Sequence, residues 1–357
     1  MNHRPALPRS LVGTGTLTER FTVIDVGASG GIPGVWFQFG SRLVAYAFDP
    51  LVAEVERLNK TKPPLGSVEY IDAFVVRSSS EPDEQLHTGY ETVGRSSTIR
   101  SLRLTKTDQH KDLYNAGAEV VYTSNRYSID EFTSRRGIES VDFIKTDTDG
   151  YDYSVLLGAE ETLRRRRVLG VIAEVDFNGS NHPHVNLFAN NDLYLRSLGF
   201  KLFDLDIRRY TRAALPGKFR HNMQAQTVRG QPAQADALWL RDFVDPGFQK
   251  TWTTEPSAQQ LLKMVLLFEI FGLNDCAIEL IDAFSESLSP IVDIELLRSV
   301  LTEEASGVSD YGQYMSSFEE YVRAGRFAAF PDDYVIATEG YLSTREGDPK
   351  TAVFRPR

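Results

Sequence analysis

With 357 residues the chain is long enough for two domains or one enlarged one, and its 41% hydrophobic and 25% charged residues are those of a soluble globular protein. A formal net charge of -10 argues against broad phosphate-backbone contacts, so nucleic acid is not an expected partner. One cysteine, Cys276, excludes an intrachain disulfide and a cysteine-based zinc site.

Residues 1–20 read as an N-terminal arm without the continuous apolar core of a signal peptide. "FTVIDVG", starting at Phe21, is the first strand pattern. "LVAYAFDP" (Leu43 to Pro50) and "SVEYIDAFV" (Ser67 to Val75) are the second and third, and "PLVAEVERLNK" between them sets Val52, Val55 and Leu58 on one helical face. Residues 77–126 are polar, mixed and too long for a simple connection, so they read as an insertion near the site. "VDFIKTD" (Val141 to Asp147) and "VLGVIAEVDF" (Val168 to Phe177) are the fourth and fifth strand patterns. The intervening "YDYSVLLGAEETLRRRR" reads as one helix, with Val155, Ala159 and Leu163 at four-residue spacing and a basic end that suits a helix C-terminus. "NLFANNDLYLRSLGF" is a further helix, closed by Gly199. "GFKLFDLDI" and "ADALWLR" come last with no long helix between them, as an antiparallel hairpin at the sheet edge.

Strands that are apolar without alternation, separated by helices, predict an α/β fold: a seven-stranded Rossmann-like sheet over residues 21–250, covered on both faces. Residues 256–345 change character. "SAQQLLKMVLLFEIFGL" and "NDCAIELIDAF" predict an αα-hairpin with Asn274 as a cap and Cys276 buried, and "IVDIELLRSVL" and "YGQYMSSFEEYVRAGRF" continue a helical extension. The extension reads as a cleft lid or as a contact between copies in a homo-oligomer. No segment reaches the ~20 apolar residues of a membrane span. The longest, "LLKMVLLFEIFGL", carries Lys263 and Glu269. The expectation is a cytoplasmic protein without membrane insertion.

Ligands of a doubly wound sheet bind beyond the carboxyl ends of its strands, which is where the turn Asp25-Val26-Gly27-Ala28-Ser29-Gly30-Gly31 falls. The G-x-G-x-x-G spacing of a dinucleotide site is absent, and Asp25 sets negative charge where a diphosphate would lie. S-adenosylmethionine carries an ammonium, a carboxylate and a sulfonium but no phosphate. Asp25 can attract the ammonium, and the helix start expected after Gly31 offers N–H groups to the carboxylate. Asp49, with Pro50 behind it, ends the second strand where an acid can hold ribose hydroxyls, and Asp72 and Ala73 lie near the expected adenine edge.

A second block, "SIDEFTSRRGIESVDFIKTDTDGYDYSVLLGAEETL" (Ser128 to Leu163), together with "VIDVGASGG", resembles the FkbM family of S-adenosylmethionine-dependent methyltransferases. The resemblance spans roughly Phe21 to Arg241 and is specific for the family rather than for a substrate. The family's acidic and glycine positions after the fourth strand appear here as Asp147, Asp149 and Gly150, with aspartate where relatives often have glutamate at Asp149. "GVIAEVDF" matches through Glu174, "QADALWLR" through Asp236, and Ser96 and Ser97 resemble a serine pair of relatives. The resemblance implies a class I methyltransferase sheet and O-methylation of a small-molecule or glycan acceptor, a hydroxyl of a sugar or secondary metabolite.

Such a reaction needs an acceptor held in line with the methyl carbon and sulfur, and a group that takes the hydroxyl proton or a metal that lowers its pKa. Asp147, at the end of the fourth strand, leads as base or metal ligand. Asp149 either joins it or caps the next helix. Glu174 and Asp176 are further metal-ligand candidates. His182 and His184 in "DFNGSNHPHVN", and His221, are candidates for a base or for loop structure. Arg95, Arg100 and Arg103 are candidates to meet an anionic substrate, and Arg164 to Arg167 read as a solvated helix end. The rival reading is a non-catalytic binding or assembly protein that keeps the methyltransferase fold.

Overall fold

The computed structural model describes residues 5–80, 122–148, 150–179, 183–210, 230–247 and 255–306, with a few positions between 316 and 324. Two compact units divide the chain, one of residues 19–255 and one of residues 1–18 with 256–357.

The larger unit carries β1 (Phe21–Val26), β2 (Leu43–Asp49), β3 (Ser67–Asp72), β4 (Phe74–Val75), β5 (Arg126–Tyr127), β6 (Phe143–Thr146), β7 (Gly170–Asp176), β8 (Phe200–Tyr210) and β9 (Gln231–Arg241). Seven of these form one sheet in the order β3-β2-β1-β6-β7-β9-β8. Pairing is parallel from β3 through β7, and β9 runs against both of its neighbours. The closing hairpin thus lies at the edge where the absence of a helical pattern put it. The order reverses direction between β1 and β6, which opens the crevice typical of doubly wound sheets at those strand ends.

The central strands are apolar on both sides because both sides are covered. All six positions of β1 are buried. Ile24, Val26, Phe48 and Ile144 join a core with residues of α3 (Ile129–Arg135), α4 (Asp152–Leu157), α5 (Glu160–Arg165) and α6 (Phe188–Ser197), among them Phe132, Leu156, Leu163 and Leu195. The alternate positions of β1 face the other way, so Phe21 stacks on Trp36 and Phe39 of a 3₁₀ segment, Gly34–Arg42. Phe143 of β6 meets the same Trp36 ring at 5.0 Å. The period of two therefore puts Asp25 and its register partner Lys145 on this second face.

Local chemistry adjusts several expected boundaries. The third strand pattern does not run on to Val75. It breaks at Ala73, whose N–H donates to the Asp49 carbonyl, and Phe74–Val75 leaves the main sheet to pair with β5. Residues 81–121 of the expected insertion, with Arg95, Ser96, Ser97, Arg100 and Arg103, lie outside the described residues. The helix expected over Tyr151 to Arg167 is two helices, α4 and α5, parted at Gly158. A Cβ there would stand 2.5 Å from the Val76 carbonyl oxygen, so the backbones approach too closely for any other residue. At the start of α3, Ser128 and Glu131 form a reciprocal capping box, which fixes where that helix begins. Val55 and Leu58 are buried on α2 (Val52–Thr61) as the spacing predicts, and Glu54 is buried beside them.

The second unit holds α1 (Leu7–Gly13), α7 (Ala258–Phe271), α8 (Asn274–Ala283), α9 (Ser285–Leu288) and α10 (Ile294–Ser306). Residues 1–18 group with these helices for a polar reason. The Glu269 carboxylate accepts from the Ala6 N–H at 2.6 Å and the Leu7 N–H at 3.1 Å, satisfying orphan donors at the start of α1. Asn274 is not the cap expected of it: it is the first residue of α8, and its amide donates to the Leu301 carbonyl at 2.8 Å. Cys276 is half-buried rather than buried. Most of "YGQYMSSFEEYVRAGRF" lies outside the described residues. Among the described residues no helix is long and apolar enough to cross a membrane.

Candidate functional site

The turn after β1 is tight because its backbone groups are spoken for. The N–H groups of Gly27 and Ala28 both donate to the Phe48 carbonyl at 3.0 Å, and the Gly31 N–H donates to the Ala28 carbonyl at 2.9 Å. The Gly30 N–H reaches Glu54 Oε1 at 2.9 Å, and the Ile32 N–H reaches the Tyr70 hydroxyl at 3.3 Å. Glu54 is itself gripped by Arg57, whose hydrogen bonds hold its carboxyl below the usual range despite burial. The helix expected after Gly31 is a 3₁₀ segment that begins at Gly34, and five N–H groups of the turn before it are bonded within the protein. Gly27 has φ +81, and a Cβ on it would lie 1.9 Å from the Asp147 carbonyl oxygen. The ends of β1 and β6 touch there.

Asp25 and Lys145 meet because β1 and β6 are neighbours in register. The Lys145 ammonium donates to Asp25 Oδ1 at 3.0 Å and to the Gly27 carbonyl at 3.3 Å, and Asp147 Oδ2 stands 3.7 Å away. The Asp25 carboxylate is fully buried, and its Oδ2 has no hydrogen-bond partner among the described residues. Burial pushes its pKa up to about 6 while Lys145 pulls it down. Burial acts to lower the Lys145 pKa, but the carboxylates of Asp25 and Asp147 outweigh it and the net shift is upward. Asp147 is 48% exposed, so its carboxylate is open to solvent from the strand end.

Asp49 ends β2 buried, and its Oδ1 accepts from the Leu51 N–H at 2.8 Å. Burial raises its pKa to about 6 against that hydrogen bond. Pro50 passes its carbonyl to the Thr123 N–H. Asp72, at the end of β3, is held by Thr123 Oγ1 and Asn125 Nδ2, both at 3.1 Å from its Oδ2. Ala73 beside it is buried. Asp49 and Asp72 end β2 and β3, where the register pairs them directly, and Asp25 is the penultimate residue of the adjacent β1.

On the other side of β1 the structure brings together residues the sequence left apart. Asp152, fully buried at the start of α4, accepts from the Thr148 hydroxyl at 3.0 Å and the Thr148 N–H at 3.3 Å. Burial, then the charge of Asp147, pushes it up to about 7. Buried Asn186 donates to the Glu174 carbonyl at 2.9 Å and accepts from the Tyr153 N–H at 3.1 Å. Neither residue was singled out from sequence; the only local signal was a buried-helix position for Asp152, and Asn186 had none. Glu174 is buried and joined to Arg208, which also holds Asp236 at 2.6 Å. Burial raises the pKa of Asp236 and Arg208 opposes it. Asp176 is buried at the end of β7. Asp149, His182 and His221 lie outside the described residues, and His184 is exposed. Among the described residues no group of three His, Cys, Asp or Glu side chains is arranged to hold a metal ion.

A methyltransferase FkbM domain matches residues 25–202, a span that opens on Asp25 and runs from the end of β1 to the start of β8. Among solved structures, a SAM-dependent methyltransferase from Aquifex aeolicus is 14% identical, over 66% of this chain and 89% of its own, with a TM-score of 0.29. The methyltransferase domain of bacterial CtHen1-C is 10% identical, over 67% of this chain and 99% of its own, with a TM-score of 0.25. Likenesses that slight leave the architecture to rest on the sheet order itself. None of the curated proteins matches the sequence. Through its residues 25–202, the chain belongs to the FkbM family of methyltransferases.

Proposed function

We propose that this protein transfers a methyl group from S-adenosylmethionine to a hydroxyl of a sugar or secondary metabolite, on a class I methyltransferase sheet. The observation that carries the reading is the acidic corner at the crevice. A buried Asp25 carboxylate with one unpartnered oxygen sits beside a glycine turn that comes within contact of Asp147, with Asp49 ending the next strand. A carboxylate at that position fits a cationic amino-acid ligand and opposes a diphosphate. When bound, S-adenosylmethionine supplies a methyl group already activated for displacement.

The chain's own residues supply binding, alignment and a proton acceptor. Asp49 accepts from the ribose hydroxyls, Asp72 borders the adenine, and Asp147 takes the proton of the acceptor hydroxyl. Held in line by these residues, the donor would pass its methyl carbon to the acceptor oxygen, and the electron pair of the broken carbon–sulfur bond would stay on sulfur. The exposed carboxylate of Asp147 then returns its proton to water.

Calorimetric titration with S-adenosylhomocysteine, followed by an assay of its release across a panel of sugar and natural-product hydroxyls, tests the reading. Binding and turnover are expected, with Asp147→Asn lowering turnover by about a hundredfold and affinity little. A chain that binds neither donor nor product, or that binds them and methylates nothing on the panel, favours the non-catalytic rival. Wild-type turnover by Asp147→Asn ends the proposed chemical role of that residue.

A further inference from the structure

We propose that Lys145 holds the α-carboxylate of the methyl donor, an assignment that rests on the donor reading above. A ligand with an amino-acid end presents one anion, and that anion needs a donor at the corner. Five N–H groups of the turn, those of Gly27, Ala28, Gly30, Gly31 and Ile32, are already bonded to Phe48, Glu54, Ala28 and Tyr70. The nearby guanidinium of Arg57 is taken up by both oxygens of Glu54.

Lys145 is differently placed. An ammonium has three protons. Two acceptors lie within hydrogen-bond distance, Asp25 Oδ1 at 3.0 Å and the Gly27 carbonyl at 3.3 Å. The third neighbour, Asp147 Oδ2, is at 3.7 Å, close enough for charge attraction and too far for a hydrogen bond. The side chain is 19% exposed, so the ammonium is not sealed from the crevice. Its register against Asp25 fixes it at the carboxyl ends of the two central strands, where the sheet opens. Of the donor's three charged groups, the ammonium and sulfonium are repelled by Lys145 and the carboxylate is attracted. Lys145 is therefore a binding residue and not merely the counter-charge of Asp25.

The two roles separate by removing the amino-acid end from the probe. S-adenosylhomocysteine carries the α-carboxylate, and methylthioadenosine has the same nucleoside and thioether without it. Lys145→Met is expected to weaken S-adenosylhomocysteine by about tenfold to a hundredfold and methylthioadenosine by less than about twofold, read by calorimetry. Because loss of Lys145 strands a buried carboxylate, the same comparison is made between Asp25→Asn and Asp25→Asn/Lys145→Met, with circular dichroism confirming the fold. A loss confined to S-adenosylhomocysteine in a folded background bears the assignment out. Equal losses for both nucleosides, or no loss for either, overturn it while leaving the donor reading intact. Wild-type protein that binds neither nucleoside overturns the donor reading itself, and this assignment with it.

Discussion

Gly27→Ala tests whether the corner is closed as tightly as the structure shows. The added Cβ would lie 1.9 Å from the Asp147 carbonyl oxygen and 2.7 Å from its carbonyl carbon, both backbone atoms that no rotamer change can move aside. Alanine at φ +81 also pays for a left-handed backbone, about 1–2 kcal/mol. Relieving the overlap pushes β1 and β6 apart at the point where the Asp147 N–H meets the Val26 carbonyl at 2.9 Å. Loss of that bond costs about 1 kcal/mol and residual overpacking about 1–3 kcal/mol. The sum, about 3–6 kcal/mol, is a large part of the stability of an ordinary domain. At roughly 3 °C per kcal/mol the melting temperature falls by about 9–18 °C. Gly30→Ala is the control: its φ is +82, but nothing lies within 4 Å of the added Cβ, so only the backbone term remains. Thermal melts followed by circular dichroism of both variants decide the matter. Equal, small losses would refute the contact between the glycine turn and the end of β6, and with it the geometry that brings Asp147 to the crevice.

Asp49→Ala is expected to weaken S-adenosylhomocysteine by about tenfold without unfolding the chain, since the side chain's one hydrogen bond among the described residues is from the Leu51 N–H; unchanged affinity by calorimetry would remove Asp49 from the site. Asp152, fully buried and raised to about 7, is a group whose folded pKa lies above its unfolded value, so its contribution to stability is fully present below about pH 4 and is lost as pH rises through 7. Between about pH 5 and pH 8 that loss is of order 2–3 kcal/mol, and Asp152→Asn should flatten the fall in denaturation midpoint over this window; parallel profiles for variant and wild type would show that the buried carboxyl does not titrate there.

The architecture was legible because the signals that specify it are short-range. Apolar runs without alternation announced strands covered on two faces, and each of β1, β2, β3 and the β6 pattern ends at or beside an aspartate that the parallel topology gathers at one edge. The missing helical pattern between Ile207 and Ala235 announced the antiparallel hairpin of β8 and β9. The breaks were harder to read, because they depend on approach between distant segments. Gly158 looks like any helix glycine until the Val76 carbonyl is found against it, and Ala73 reads as strand until its N–H turns to Asp49. Asn186 could not be singled out for the same reason: its partners, Tyr153 and Glu174, are 33 and 12 residues away in sequence.

The corner shows the same division with a chemical consequence. In the sequence, Asp25 reads as a lone carboxylate suited to a ligand's ammonium, and the helix start expected after Gly31 as the source of N–H donors for its carboxylate. Register changes both halves. Strand β6 lies beside β1, so an internal ammonium already occupies one oxygen of Asp25, and β2, α2 and Tyr70 take up four of the turn's donors. Two carboxylates, Asp25 and Asp147, then share one ammonium. When all three are ionised the cluster carries a net negative charge, which attracts a cation, while the ammonium between the carboxylates attracts an anion.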